Sequence, residues 1–113
     1  MLSDIVINSV CESVVAETLE DYVGLWSIIW QFREIYKETD PLEIQRGTLQ
    51  VVETLLKAGL IRVGAFKNGE FEVWNLSSEE ILNYIKRVWE EGGKEPNIGD
   101  IVWFESIQER EQE

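Results

Sequence analysis

Histidine is missing from this chain, and cysteine occurs once, as Cys11. The first absence excludes the common zinc sites and every histidine-based triad. A lone cysteine cannot form an internal disulfide, and with no histidine to activate it Cys11 reads as a small buried hydrophobe rather than a nucleophile. No apolar stretch approaches the roughly 20 residues needed to span a bilayer, so no membrane partner is expected. Met1-Leu2-Ser3-Asp4 lacks a basic leader ahead of an apolar core, which predicts an unexported, cytoplasmic protein. GxGxxG, Walker and EF-hand spacings are absent, and the glycines read as structural punctuation rather than as a phosphate-binding loop. The carboxylate pairs Glu79/Glu80 and Glu90/Glu91 are neighbours in a helical pattern, where adjacent residues do not face each other. The expectation is a protein that is not an enzyme and uses neither cofactor nor metal.

Positive charge is the next shortage: 10 Lys and Arg stand against 22 Asp and Glu, a net charge of −12. The excess sits at the two ends, with −5 over residues 1–21 and −4 over 100–113, while residues 41–75 balance to zero. Solubility alone accounts for such a charge. An acidic face for a basic protein partner is the functional alternative, and a nucleic-acid partner is disfavoured because no basic stripe is available to meet phosphate.

What the chain has is the material for one modest core, 44% hydrophobic over 113 residues, which suits a single domain over 1–105 with an acidic tail over 106–113. Its strongest signals lie between Asp40 and Trp74. Asp40 is placed as N-cap, Pro41 at the first helical position and Glu43 to close a capping box. Ile44, Leu49, Val52, Leu55 and Leu56 recur at helical spacing, and Gly59 follows where a left-handed C-cap is wanted, so the helix should end near Ala58. Gly47 lies inside it. One helix is expected, against which another backbone packs close; a break there into helix-turn-helix is the alternative.

After Gly59 the period shortens. Leu60 to Phe66 and Phe71 to Trp74 flank Asn68-Gly69, the pair that a two-residue type I′ hairpin prefers. Phe71 and Val73 share one face of the second strand, which is expected to reach the core, and Glu70, Glu72 and Trp74 share the other. Around this stretch the pattern predicts a peripheral first helix over Leu2–Leu19 and a core helix over Tyr22–Tyr36. A helix capped by Ser77 and Glu80 and stopped at Gly92-Gly93 follows, and Ile101–Phe104 make a short third strand. On the second helix Ile28, Trp30 and Ile35 widen the apolar surface, so it is either flanked on two sides or presents a partner or homodimer face built on Trp30.

The run Leu55-Leu56-Lys57-Ala58-Gly59-Leu60-Ile61, with Val63 beyond it, resembles the winged-helix superfamily as bacterial regulators display it, over roughly Asp21 to Trp74. The resemblance implies an α+β, winged-helix-like fold of three to four helices with a two- to three-stranded antiparallel wing. It also implies DNA reading by the helix before the wing, through Gln45, Arg46 and Gln50, with Arg62 and Lys67 on the wing. Charge argues otherwise, since Glu43, Glu53, Glu70 and Glu72 match the local cations. Five tryptophans are many for 113 residues, and tryptophan anchors interfaces as readily as it fills cores. Trp26 and Trp89 are expected in the core. Trp30, Trp74 and Trp103, with Glu70 and Glu72, form the expected docking surface for a basic protein partner, as in small acidic proteins of immunity or adaptor type, which this chain resembles in overall character. The DNA-binding regulator is the alternative.

Overall fold

A computed structural model describes residues 2–92 and 102–107. Four α-helices pack on one face of a four-stranded antiparallel sheet, an α+β arrangement compatible with a winged-helix-like fold. The order is α1 (Asp4–Thr18), β1 (Val23–Gly24), α2 (Leu25–Trp30), a π-helical turn (Gln31–Ile35), α3 (Pro41–Lys57), β2 (Ile61–Lys67), β3 (Glu70–Val73), α4 (Ser78–Gly92) and β4 (Trp103–Ser106). In space the strands run β1-β4-β2-β3. The hairpin is therefore one half of a larger sheet, widened on the β2 side by the last strand and by a two-residue strand from the N-terminal third.

α3 forms where its punctuation predicts. The Asp40 side chain accepts from Leu42 N–H at 3.0 Å, and at the other end Gly59 N–H donates to Leu56 O and Leu60 N–H to Leu55 O, with Gly59 at φ +72°. Two carbonyls that the helix leaves open are thereby satisfied. Gly47 does not break it. A Cβ there would lie 2.6 Å from Leu2 Cδ1 and 3.1 Å from the Phe32 ring, so the close neighbours are side chains of α2's continuation and of the N-terminal segment, not a backbone. The hairpin turn has Asn68 and Gly69 at φ 54° and 82°, as a type I′ turn requires. Ser77 and Glu80 cap α4 reciprocally, at 3.2 and 2.9 Å.

Glu43 departs from its predicted role. Its carboxylate turns away from Asp40 and accepts the Leu2 N–H at 2.9 Å and the Arg46 guanidinium at 3.0 Å, while Arg46 donates to Leu2 O at 3.2 Å. Both backbone groups of Leu2 are thus held by one ion pair on α3. The first helix is consequently not peripheral: α1 buries Ile7, Val10, Cys11 and Val14 and packs along α3. Ile5 points to solvent and is 78% exposed. Many β-branched residues blur the helical period here, so the buried face is not marked by spacing alone.

The single helix predicted over Tyr22–Tyr36 is three pieces. Val23 and Gly24 pair with Phe104 and Trp103, and Leu25 N–H donates to Val102 O at 3.1 Å, so the chain is extended before α2 begins. Beyond Trp30 the helix widens, Tyr36 N–H reaching back to Gln31 O. Gln31 is buried there and donates to Glu17 of α1 at 3.1 Å. Leu25, Ile28, Ile29 and Phe32 do enter the core.

One cluster of buried side chains joins all four helices to Val23, Ile61, Val63, Val102 and Phe104 on the inner face of the sheet. β3 gives it none. Val73 is 47% exposed, which corrects the expectation that one face of the second hairpin strand reaches the core. The helices cover the sheet only as far as β2 and the chain turns away after Val73, where Trp74, half-buried, meets Tyr84 of α4. The last strand extends to Ser106, opposite Ile61, and Ile107 N–H donates to Leu60 O. The first two residues of the predicted tail therefore belong to the fold; its remainder, 108–113, lies outside the described residues, as do Gly93 to Ile101.

The ion pair on Leu2 gives a pH signature. The Arg46 guanidinium, and after it the Leu2 N–H, hold the Glu43 carboxyl down from 4.5 to about 2. A carboxyl whose folded value is depressed contributes stability above its unfolded value and loses it as pH falls toward the folded one. The wild-type melting temperature should accordingly fall more steeply than that of Glu43→Gln between pH 4.5 and about 2, read by thermal unfolding in matched buffers. Parallel curves would sink the assignment.

Candidate functional site: an aromatic platform on the outer sheet face

Alternation along β2 and β4 sends Ile61, Val63, Phe104 and Ser106 inward and Arg62, Phe66, Trp103 and Glu105 outward. Register then collects rings on the outer face. Phe66 stands opposite Phe71 with centroids 5.6 Å apart, meets Trp103 edge-on at 5.3 Å and meets Tyr22 edge-on at 5.0 Å; Tyr22 and Phe71 lie 4.8 Å apart. Such offset and edge-to-face pairs contribute about 0.5–1.5 kcal/mol each beyond the area they bury. Phe66 touches all three of the others and is still 41% exposed.

Two glycines make room for this platform. Trp103 is paired with Gly24 on one side and Gly64 on the other, and a Cβ on Gly24 would lie 3.3 Å from the Trp103 ring. A Cβ on Gly64 would overlap the Glu72 carbonyl and come within 2.9 Å of the Phe71 ring. The Trp26 indole also lies over Gly24, at 2.5 Å from where a Cβ would be, and its Nε1 is buried with no partner among the described residues. Trp26 is therefore half-buried at the sheet rather than central in the core, whereas Trp89 is a core residue as expected. An Arg62–Glu105 ion pair of 3.3 Å borders the rings.

A separate apolar feature lies on the opposite side of the hairpin. Trp74 packs edge-on against Tyr84 at 5.1 Å, the Arg87 guanidinium sits 5.5 Å from the Tyr84 ring, and Val73, Trp74, Asn75, Leu76 and Tyr84 line an open groove of about 380 Å³.

The five residues expected to form one docking surface fall in different places. Trp103 belongs to the platform and Trp74 to the groove. Glu70 and Glu72 are exposed on β3 between the two. Trp30, 49% exposed, ends α2 and is outside both aromatic groups. Tyr22, Phe66 and Phe71 were missed. The Asn-Gly turn fixes Phe66 opposite Phe71 by counting outward from it, a signal that was available; Tyr22 had none, because a two-residue strand has no period to read.

The residues for DNA reading are also dispersed. Gln45 is half-buried, its Nε2 without a partner among the described residues. Arg46 is tied to Glu43, Leu2 O and Gln50, the last at 3.2 Å, and with Gln50 it lines a groove shared by α3 and α4. Arg62 is paired with Glu105. Lys67 is exposed beside the turn. Of metal chemistry there is no trace among the described residues, where no three His, Cys, Asp or Glu gather. Burial, and after it Glu12, push the Cys11 thiol up, away from the thiolate that nucleophilic chemistry needs. Among the described residues no helix is long and apolar enough to cross a membrane.

No protein-family model matches this chain, and neither a curated protein nor a solved structure matches it.

The platform depends on Gly64 lacking a side chain. Gly64→Ala should destabilise the protein by about 1–3 kcal/mol, the usual cost of overpacking, measured by urea unfolding, and should reduce near-ultraviolet aromatic dichroism. An unchanged midpoint would mean that β2 and β3 are not held in this register.

Proposed function

We propose that this chain is a non-catalytic protein-binding module, a winged-helix-like domain that docks on a basic protein partner through the outer face of its sheet. The particular form we favour is the immunity or adaptor type, in which a small acidic protein covers a cationic surface on its partner. One observation carries the reading: Phe66, ringed by Tyr22, Phe71 and Trp103, stays substantially exposed on a face bordered by Glu105, with Glu70 and Glu72 exposed on the other side of the adjoining edge strand, in a chain of net charge −12. Interfaces concentrate their energy in aromatic anchors encircled by polar groups, and aromatic faces attract Arg and Lys. Long-range attraction between acidic and basic surfaces speeds the encounter. The reading places the protein in the cytoplasm, where Cys11 remains a thiol.

The DNA-regulator alternative draws less support. Arg46 is tied to Glu43, Arg62 is paired with Glu105, and Lys67 stands opposite Glu70 across the hairpin, so each of its cations has an acid beside it and too few counterions would be released for useful affinity.

The test is affinity capture by the tagged full chain from native cell lysate at low salt, with and without nuclease, beside the Phe66→Ser variant. A basic protein recovered in stoichiometric amount despite nuclease, and bound at least about thirtyfold more weakly by Phe66→Ser, is the expected result for an anchor residue. Recovery of nucleic acid that nuclease abolishes would support the regulator, and equal capture by Phe66→Ser would remove the platform from the interface.

A further inference from the structure

β3 is an edge of the sheet, and the ladder determines which of its backbone groups face outward. Trp74 N–H donates to Val63 O at 2.9 Å, and Glu72 and Glu70 stand opposite Ala65 and Lys67. Antiparallel pairs alternate between hydrogen-bonded and non-bonded, so Glu70 and Glu72 direct their N–H and C=O toward β2 while those of Phe71 and Val73 point away from it. Among the described residues no strand lies on that side. Exposed edges are ordinarily blunted by proline, a bulge or a covering loop. β3 has no proline, and its four pairs with β2 run without a bulge.

Among the described residues charge guards this edge instead, and it does so selectively. A second copy of β3 would bring Glu70 and Glu72 against their own kind, and like charges on neighbouring strands repel. A strand carrying Lys or Arg at alternate positions meets the opposite situation. Its remaining side chains would fall on the other face, beside Phe71 and the half-exposed Val73, where they continue the aromatic platform.

Resting on the reading of a basic partner, we propose that β3 is an attachment edge: an extended segment of that partner adds to it as a fifth strand, bonded to the backbone of Phe71 and Val73. Its alternate cations lie along Glu70 and Glu72, and its intervening apolar side chains lie along Phe71 and Val73. Main-chain bonds then give affinity and alternation gives selectivity.

The experiment uses the full-length, isotopically labelled protein titrated with a blocked peptide of alternating lysine and valine. The same peptide N-methylated along one edge and an aspartate–valine counterpart serve as controls. Binding should shift the Phe71 and Val73 amides, slow their hydrogen exchange and weaken with salt. N-methylation should reduce affinity about tenfold or more, the effect of losing two hydrogen bonds. Val73→Pro, which removes an N–H that the sheet does not use, should do the same with its circular dichroism intact; should that variant fail to fold, the N-methylated peptide tests the same bonds without altering the protein. Equal binding of the plain and N-methylated peptides, combined with loss in Glu70→Gln/Glu72→Gln, would overturn strand addition while leaving the basic-partner reading in place. Preference for the aspartate peptide would overturn both, and so would shifts at Arg46 and Lys67 seen only with duplex DNA. Absence of any shift at Phe71 and Val73 up to millimolar peptide would overturn strand addition alone.

Discussion

β4 is hydrogen-bonded on both sides, to β1 through Phe104 and Trp103 and to β2 from Ile61 to Gly64, and the rest of the molecule is arranged around that double pairing. Of its two inward side chains Phe104 is fully buried among residues from the helices and from β2. Of its two outward ones Trp103 is the base of the aromatic platform. Without β4 the pair Val23-Gly24 has no partner, Leu25 N–H loses its acceptor on Val102, and the path from α1 into α2 is undetermined. One strand of four residues thus ties both ends of the described chain to the hairpin in its middle.

On the other side of the core the tie is electrostatic. Glu43 and Arg46 grip the backbone of Leu2, whose side chain then sits over Gly47, in the only kind of helix position where it and Phe32 can approach so closely. An arginine held this way is a structural group. The same residue seen in sequence alone looks like a base-reading side chain on an exposed helix, and nothing in its spacing separates the two roles.

Elements whose signals are local were legible in the sequence. α3 and α4 with their caps, the Asn68-Gly69 hairpin, the left-handed Gly59 and the α+β class could all be read from residue type and spacing. What escaped were features created by long-range pairing: the two-residue strand β1, the interruption of the second helix, and the central place of α1. Periodicity ran through Tyr22–Phe32 without a break because strand residues Val23 and Gly24 happen to sit between helix-like apolar positions. The site divided in the same way. Glu70, Glu72 and Trp103 were picked for their chemistry, but which of the five tryptophans shares a face with which phenylalanine depends on sheet order, and sheet order depends on a strand some eighty residues from its β1 partner by the numbering of Val23 and Phe104.

That separation has a consequence for how the molecule comes into being. The β2–β3 hairpin closes through a two-residue turn, whereas the Val23–Phe104 pairing must bring together segments far apart in sequence, so the hairpin can exist well before β4 arrives. During that interval the sheet has a second open edge, along β2, with Ile61 and Val63 unprotected by any helix-and-strand sandwich. Edges of that kind recruit other chains. The glutamates of β3 guard one side of the nascent hairpin permanently; the other side is safe only once β4 has covered it, so a chain lacking residues 103–106 would be prone to aggregate rather than merely to lose stability.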